Sequence, residues 1–226
     1  MGKEKKLKIS LIINIITVIM VIFALYISFA KFKFMPGYEP VSELAPTPIF
    51  NYFTVQSNVF MGIVSLIFII KEYQVLKGIK KEIPLSYYIL KMIATIAVFL
   101  TLSVVFLYLG FAVKGGLLGL LRNSNLFFHF IIPITSIVNY ILFENTKTIK
   151  FKYTLYGLLP TFLYEIFYIT NVLNNAENGI VSPVHDWYYF LQNGIWTAII
   201  VAPMMLTVTY ILTLIIWQLN RKRVII

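Results

Sequence analysis

Six apolar runs, each roughly 18 residues or longer, recur along the chain at about 9 to 30, 51 to 70, 86 to 112, 126 to 143, 151 to 172 and 195 to 218. A run of that length crosses a hydrocarbon core of about 30 Å at about 1.5 Å per residue. Inside lipid the backbone must satisfy its own hydrogen bonds, which leaves helices or a closed barrel. No ten-residue alternating pattern suggests a barrel. The expected fold is therefore all-α: one domain over residues 1 to 226, a polytopic bundle of six transmembrane helices. The composition agrees, since 59% of the 226 residues are apolar and only 12% are charged, far from a soluble globular domain.

A net charge of +10 invites a nucleic-acid reading, but the distribution of the charge argues for a membrane topology instead. Fourteen of the nineteen Lys and Arg fall in alternate loops and the two tails: Lys3, Lys5, Lys6 and Lys8; Lys71, Lys77, Lys80 and Lys81; Lys147, Lys150 and Lys152; and Arg221, Lys222 and Arg223. The other loops hold only Lys31, Lys33, Lys114 and Arg122, and Lys91 sits near an inner helix end from which it can snorkel. Basic loops stay in the cytoplasm, so both termini are expected there, in a multi-pass protein of the cell membrane with no nucleic-acid partner. The first run reads as an anchor, being too long for the core of a cleaved signal peptide. The chain has no cysteine, which removes disulfides and thiolate chemistry.

The loops at about 31 to 50 and 173 to 194 carry clusters such as "MPGYEPVSELAPTP" and read as ordered caps over the outer face. "TPIF" offers Thr47 as an N-cap with Pro48 at the first helical position, and "RNSN" offers Asn123 or Ser124 for the fourth helix. On those starts Thr54 and His129 each lie about 10 Å down a helix, at one depth near the outer headgroups.

Three polar outliers share that level. His129 is the only histidine within a span and begins a stripe with Asn125, Ser136 and Tyr140; Thr54 begins another with Ser57, Asn58 and Ser65. Both stripes have the spacing by which membrane helices adhere to one another. Glu165, in "LLPTFLYEIFYIT", is the one acidic residue well inside a span, where insertion costs roughly 2.5 to 3.5 kcal/mol. It lies roughly 9 to 13 Å below the outer end of its helix. A hydroxyl, an imidazole and a carboxylate at one level fit acyl transfer, with Thr54 as nucleophile and His129 as base. Glu165, Asn58, Ser57 and Tyr168 are candidate supporting side chains, Asn58 as a donor to a developing oxyanion. His185 and Asp186, before the last helix, read as a solvated loop pair beside an aromatic interfacial belt. No metal-ligand pair at helical spacing and no phosphate loop appears, so neither metal nor cofactor is expected.

"YFTVQSN" opening the second helix and "HFIIP" near the start of the fourth, with an acidic end at "LFE", resemble the androgen-induced membrane hydrolases and their bacterial relatives of unassigned activity. The resemblance implies a six-helix membrane enzyme that hydrolyses fatty acid esters of hydroxy fatty acids with a threonine nucleophile and a histidine, which map onto Thr54 and His129. It covers most of the span layout, with two short specific motifs. The animal members carry an acidic residue soon after the threonine, where this chain has Gln56, Ser57 and Asn58. The spacing from histidine to proline is one residue shorter here. A lipid or fatty acyl ester is the substrate so implied. Two other classes fit the same residues: a transporter, channel or lipid-binding protein with Glu165 and His129 along a polar path, and a scaffold whose polar stripes only join helices.

Overall fold

The computed structural model describes residues 2–35, 48–112, 115–144, 147–177, 180–182, 184–188 and 196–224. Apart from a two-residue antiparallel ladder, Ala176–Glu177 with Ile180–Val181, its regular structure is helical. The long helices are α1 (Lys3–Ala30), α2 (Phe53–Leu76), α3 (Leu85–Leu109), which ends in a π-helical turn at Val105–Leu109, and then, after a short α4 (Gly116–Leu120), α5 (Asn123–Leu142). A 3₁₀ segment, Phe151–Leu158, runs into α6 (Leu159–Asn174), and α7 (Trp196–Val224) follows.

Five of these, α1, α2, α3, α5 and α7, are long and apolar enough to cross a membrane. The fifth expected span, 151 to 172, is not one α-helix: its first eight residues are 3₁₀ and only Leu159–Asn174 is α-helical. Pro160 stands in the first turn of α6. It has no N–H to give the Tyr156 carbonyl, so the preceding chain tightens into i→i+3 bonding. The combined rod is still about 40 Å long at the rises of the two helix types.

Long helices that follow one another in the chain run antiparallel. Ser10 of α1 bonds Glu72 near the far end of α2, while the Gly62 Cα faces Val21 halfway along both, where a Cβ would come within 3.2 Å of Val21 Cγ1. Phe68 of α2 meets Tyr88 of α3 edge-on, and Phe106 of α3 meets Phe130 of α5 at the other end. Thr161 and Thr209 share a hydrogen bond of 3.0 Å between α6 and α7.

Two compositional layers follow. The outward faces are apolar, as with Ile12, Ile19 and Ile22 on α1, Leu163 and Ile166 on α6 and Ile200 and Ile211 on α7, all at least half exposed. The interior mixes an apolar core around Met61, Phe68, Val98 and Ile132 with many buried polar groups. Hydrophobic outside and partly polar inside is the arrangement that lipid, not water, stabilises.

Two expected caps differ. Thr47 lies outside the described residues. Pro48 precedes a 3₁₀ turn, Ile49–Asn51, rather than opening α2, and α2 begins only after the extended Tyr52. Neither Asn123 nor Ser124 caps α5. Asn123 adopts a left-handed backbone, φ 49°, and its Oδ1 accepts from the Phe34 and Met35 N–H groups, both at 3.0 Å, tying the end of α1 to the start of α5.

Candidate functional site

The polar cluster that opens α2 stitches the helix start to its neighbours. Gln56 Nε2 donates back to the Phe50 carbonyl at 2.7 Å. Ser57 Oγ donates to the Thr54 carbonyl at 3.0 Å. Asn58 does more: its Nδ2 donates both to the Thr54 carbonyl at 2.7 Å and, across the helix interface, to the Phe128 carbonyl at 2.9 Å. One amide thus holds the turn bearing Thr54 against the turn bearing His129. Asn58 is level with Phe128, so Thr54 sits about one helical turn, near 6 Å, closer to the end of the bundle than His129. The common depth expected from the sequence becomes an offset of one turn, because α2 starts later than Pro48.

The Thr54 side chain is half-buried and faces the Tyr188 hydroxyl. That hydroxyl accepts from the Phe53 N–H at 3.0 Å; burial pushes the Tyr188 phenol up to about 12, so it stays a neutral donor. His129 is 9% exposed, its ring faces the Thr101 backbone of α3, and its Nδ1 is buried with no hydrogen-bond partner. It lies in a π-helical turn, Phe127–Ile131. Pro133 explains the local widening: without an N–H it gives nothing to the His129 carbonyl four residues earlier, and the ladder loosens there. The π-turn of α3 stands beside it, with the Phe106 and Phe130 rings 5.8 Å apart.

No hydrogen bond joins Thr54 to His129, and Glu165 bonds neither. Glu165 is half-buried with its Oε1 lacking a partner. Tyr168 is buried and donates to Asp186. Asp186 is therefore not a solvated loop residue: at 3% exposure it anchors the loop to α6. His185 is half-buried, with Nδ1 3.3 Å from Asn171 Oδ1 and its carbonyl accepting from Asn171 Nδ2 at 2.8 Å. Trp187 donates to the Tyr164 hydroxyl at 2.9 Å, and Tyr164 donates to the Asn51 carbonyl at 2.8 Å. The described part of the 173 to 194 loop is thus an ordered aromatic cap over the Thr54 end.

A second polar group, at the opposite end, escaped the sequence reading. Lys91 does not snorkel. It is 1% exposed and points into the bundle, 2.5 Å from Asn14 Oδ1, 2.9 Å from Ser65 Oγ and 3.3 Å from Glu144 Oε1. Glu72 and Glu144 look like the hydrophilic ends of spans in "IIKEYQ" and "LFEN", yet both are buried. The signal available was that they are acidic residues at ends otherwise crowded with lysine. Among the described residues no group of three or more His, Cys, Asp and Glu could hold a metal ion. No protein-family model matches the chain, and no curated protein or solved structure matches it either.

Proposed function

We propose that the protein is an integral membrane hydrolase of a lipid ester, with Thr54 as nucleophile and His129 as general base near the outer leaflet of the cell membrane. The layout we infer has six spans, the 3₁₀–α rod of 151 to 174 being the fifth, and both termini in the cytoplasm. The observation that carries the reading is the Asn58 amide, which donates to both the Thr54 and Phe128 carbonyls and so ties the turn that carries Thr54 to the turn that carries His129, a buried imidazole whose Nδ1 has no partner. An unpaired ring nitrogen in the interior is unfavourable unless something else uses it; a substrate-bound hydroxyl or water fits that need. π-turns in helices are common at functional sites, and His129 occupies one.

In the cycle, Thr54 Oγ1 attacks the ester carbonyl while its proton passes to His129. The C–O bond to the alcohol breaks, and the alcohol leaves with the proton from His129. Water, deprotonated by His129, then attacks the acyl-threonine. The acid departs and the threonine hydroxyl is restored. In this reading Tyr188, a neutral donor beside Thr54, steadies the developing oxyanion. The acyl chain stays in hydrocarbon while the ester lies at headgroup level.

The test is labelling of detergent-purified protein with a fluorophosphonate, with mapping of the modified residue and release of free fatty acid from a long-chain ester measured alongside. Label on Thr54, lost in Thr54→Ala and in His129→Gln, supports the assignment. Label and turnover that persist in Thr54→Ala remove it.

A further inference from the structure

The end of the bundle away from Thr54 holds a second constellation that ester hydrolysis does not use. Ser10 and Asn14 enter from α1, Ser65 and Glu72 from α2, Lys91 from α3, and Asn139 and Glu144 from α5 and just beyond it; each is at most 2% exposed. Sealed from water, each donor must find its acceptor inside the cluster. The Lys91 ammonium commits its three hydrogens to Asn14 Oδ1, Ser65 Oγ and Glu144 Oε1. Asn14 Nδ2 lies 3.1 Å from Glu72 Oε2 and 2.9 Å from Glu144 Oε1, which takes both of its hydrogens. Asn139 Nδ2 gives Glu144 Oε1 another at 3.0 Å.

One hydrogen is missing from that set. Ser10 Oγ touches a carboxylate oxygen on each side, Glu72 Oε1 and, at 3.4 Å, Glu144 Oε1, yet a hydroxyl has a single hydrogen. Its other neighbour, Asn14 Nδ2 at 3.4 Å, has none to spare. One of the two oxygen–oxygen contacts therefore needs a hydrogen from a carboxyl group. Charge makes the same demand independently. Two carboxylates face one ammonium, and buried charge persists only when compensated. Glu144 holds the ammonium, whereas the hydrogen-bond partners of Glu72 among the described residues are the neutral Ser10 and Asn14. A single proton on Glu72 supplies both the hydrogen and the charge.

We propose that this cluster is a proton-binding site, in which Glu72 Oε1 carries the proton and donates it to Ser10 Oγ, whose own hydrogen goes on to Glu144 Oε1. The proton completes a carboxyl–hydroxyl–carboxylate chain that fastens α1 to α2 and to the end of α5, and it leaves the cluster neutral around Lys91. Its release sets two ionised carboxylates against one serine hydrogen and one ammonium, which loosens the same three helices. The site stands apart from Thr54 and does not depend on the hydrolase reading. The charged groups facing Glu72 are Glu144 and Lys91; the Tyr140 phenol of α5 faces Glu144 in turn, with Tyr88 of α3 beside it, while α1 contributes the neutral Ser10 and Asn14.

The experiment is infrared spectroscopy of the full-length protein in lipid nanodiscs, with thermal unfolding alongside. A carboxylic acid C=O band at neutral pH, shifted in heavy water and lost in Glu72→Gln, is expected. Glutamine reproduces the neutral group and its donation to Ser10, so the melting temperature should stay within about 3 °C of the parent. Thr54→Ala should keep the band. A folded chain that holds a proton its unfolded form releases loses stability as pH rises through the release. Alkali should therefore remove the band and lower the melting temperature together, a coupling absent in Glu72→Gln. Ser10→Ala, a smaller change should Glu72→Gln fold poorly, is expected to move the band to higher frequency by taking away its acceptor. A spectrum unchanged in Glu72→Gln, or a band indifferent to Ser10→Ala, would overturn the site. So would a drop in melting temperature in Glu72→Gln as large as that in Lys91→Met, because an ionised carboxylate would then be the group required.

Discussion

Lys91 is a buried tie between helices. Its ammonium donates to Asn14 of α1 and Ser65 of α2, pairs with Glu144 just beyond α5 at 3.3 Å, and lies 5.0 Å from the centre of the Phe68 ring. Removing one partner of a buried ion pair strands the other, which costs about 3 to 5 kcal/mol. Lys91→Met is therefore expected to lower stability by about that amount, and adding Glu144→Gln should recover part of the loss by deleting one stranded carboxylate. Chemical or thermal unfolding of the two variants in the same detergent checks this; an additive double variant would show that the pair is not coupled. Asn58 is the counterpart at the other end. Asn58→Leu keeps the volume but leaves the Phe128 carbonyl without its donor, at about 1 to 3 kcal/mol. If the amide positions Thr54 beside His129, turnover of the ester falls by more than the Michaelis constant changes. A stability loss with unaltered turnover would leave Asn58 as helix glue alone.

At the scale of the element, the irregular segments matter most. The 3₁₀ stretch Phe151–Leu158 lies so close to α7 and α3 that a Cβ on Gly157 would fall 2.4 Å from Thr213 Oγ1, 2.8 Å from Thr213 Cγ2 and 2.8 Å from Ile96 Cδ1. Gly157→Ala is expected to destabilise the protein by about 1 to 3 kcal/mol through overpacking. Thr213→Ala in the same chain removes two of the three clashing atoms and should restore most of the melting temperature; no rescue would place the strain elsewhere. How far such features were legible follows from what side-chain periodicity encodes. It reports which residues are apolar and roughly where a run ends, so α3 and α5 could be read to within about three residues and α1, α2 and α7 to within about six. It does not report a change in hydrogen-bond register: Pro133 and Pro160 stand in the sequence, but only packing shows the π-turn and the 3₁₀ segment beside them. The Thr54 end was legible because its polar residues interrupt apolar runs. The Lys91 cluster was not, because Glu72 and Glu144 sit at the ends of theirs, where charge is ordinary, and only antiparallel packing gathers four helices' ends into one buried group.

At the scale of the whole molecule, the membrane topology decides which solvent each polar group meets. The antiparallel helices put Lys77, Lys80, Lys147 and the α7 end at the Lys91 side, where Lys147 also bonds the exposed Glu82 at 2.7 Å, and put the Trp187 cap at the Thr54 side. Lysine-rich segments resist translocation, so the Lys91 side is expected in the cytoplasm. The chain has no cysteine, which allows a clean measurement with single introduced thiols. Ser182 and Lys80 are both exposed and outside the long helices, at opposite ends of the bundle. A membrane-impermeant maleimide is expected to label Ser182→Cys in intact cells and Lys80→Cys only after lysis. The reverse pattern would turn the Thr54 site toward the cytoplasm and with it the class of ester it can reach. Labelling of both thiols in intact cells would contradict a bundle that crosses the bilayer between them. The assignment of an outer-leaflet substrate stands on this one asymmetry, because the apolar belt is the same whichever way the bundle is inserted.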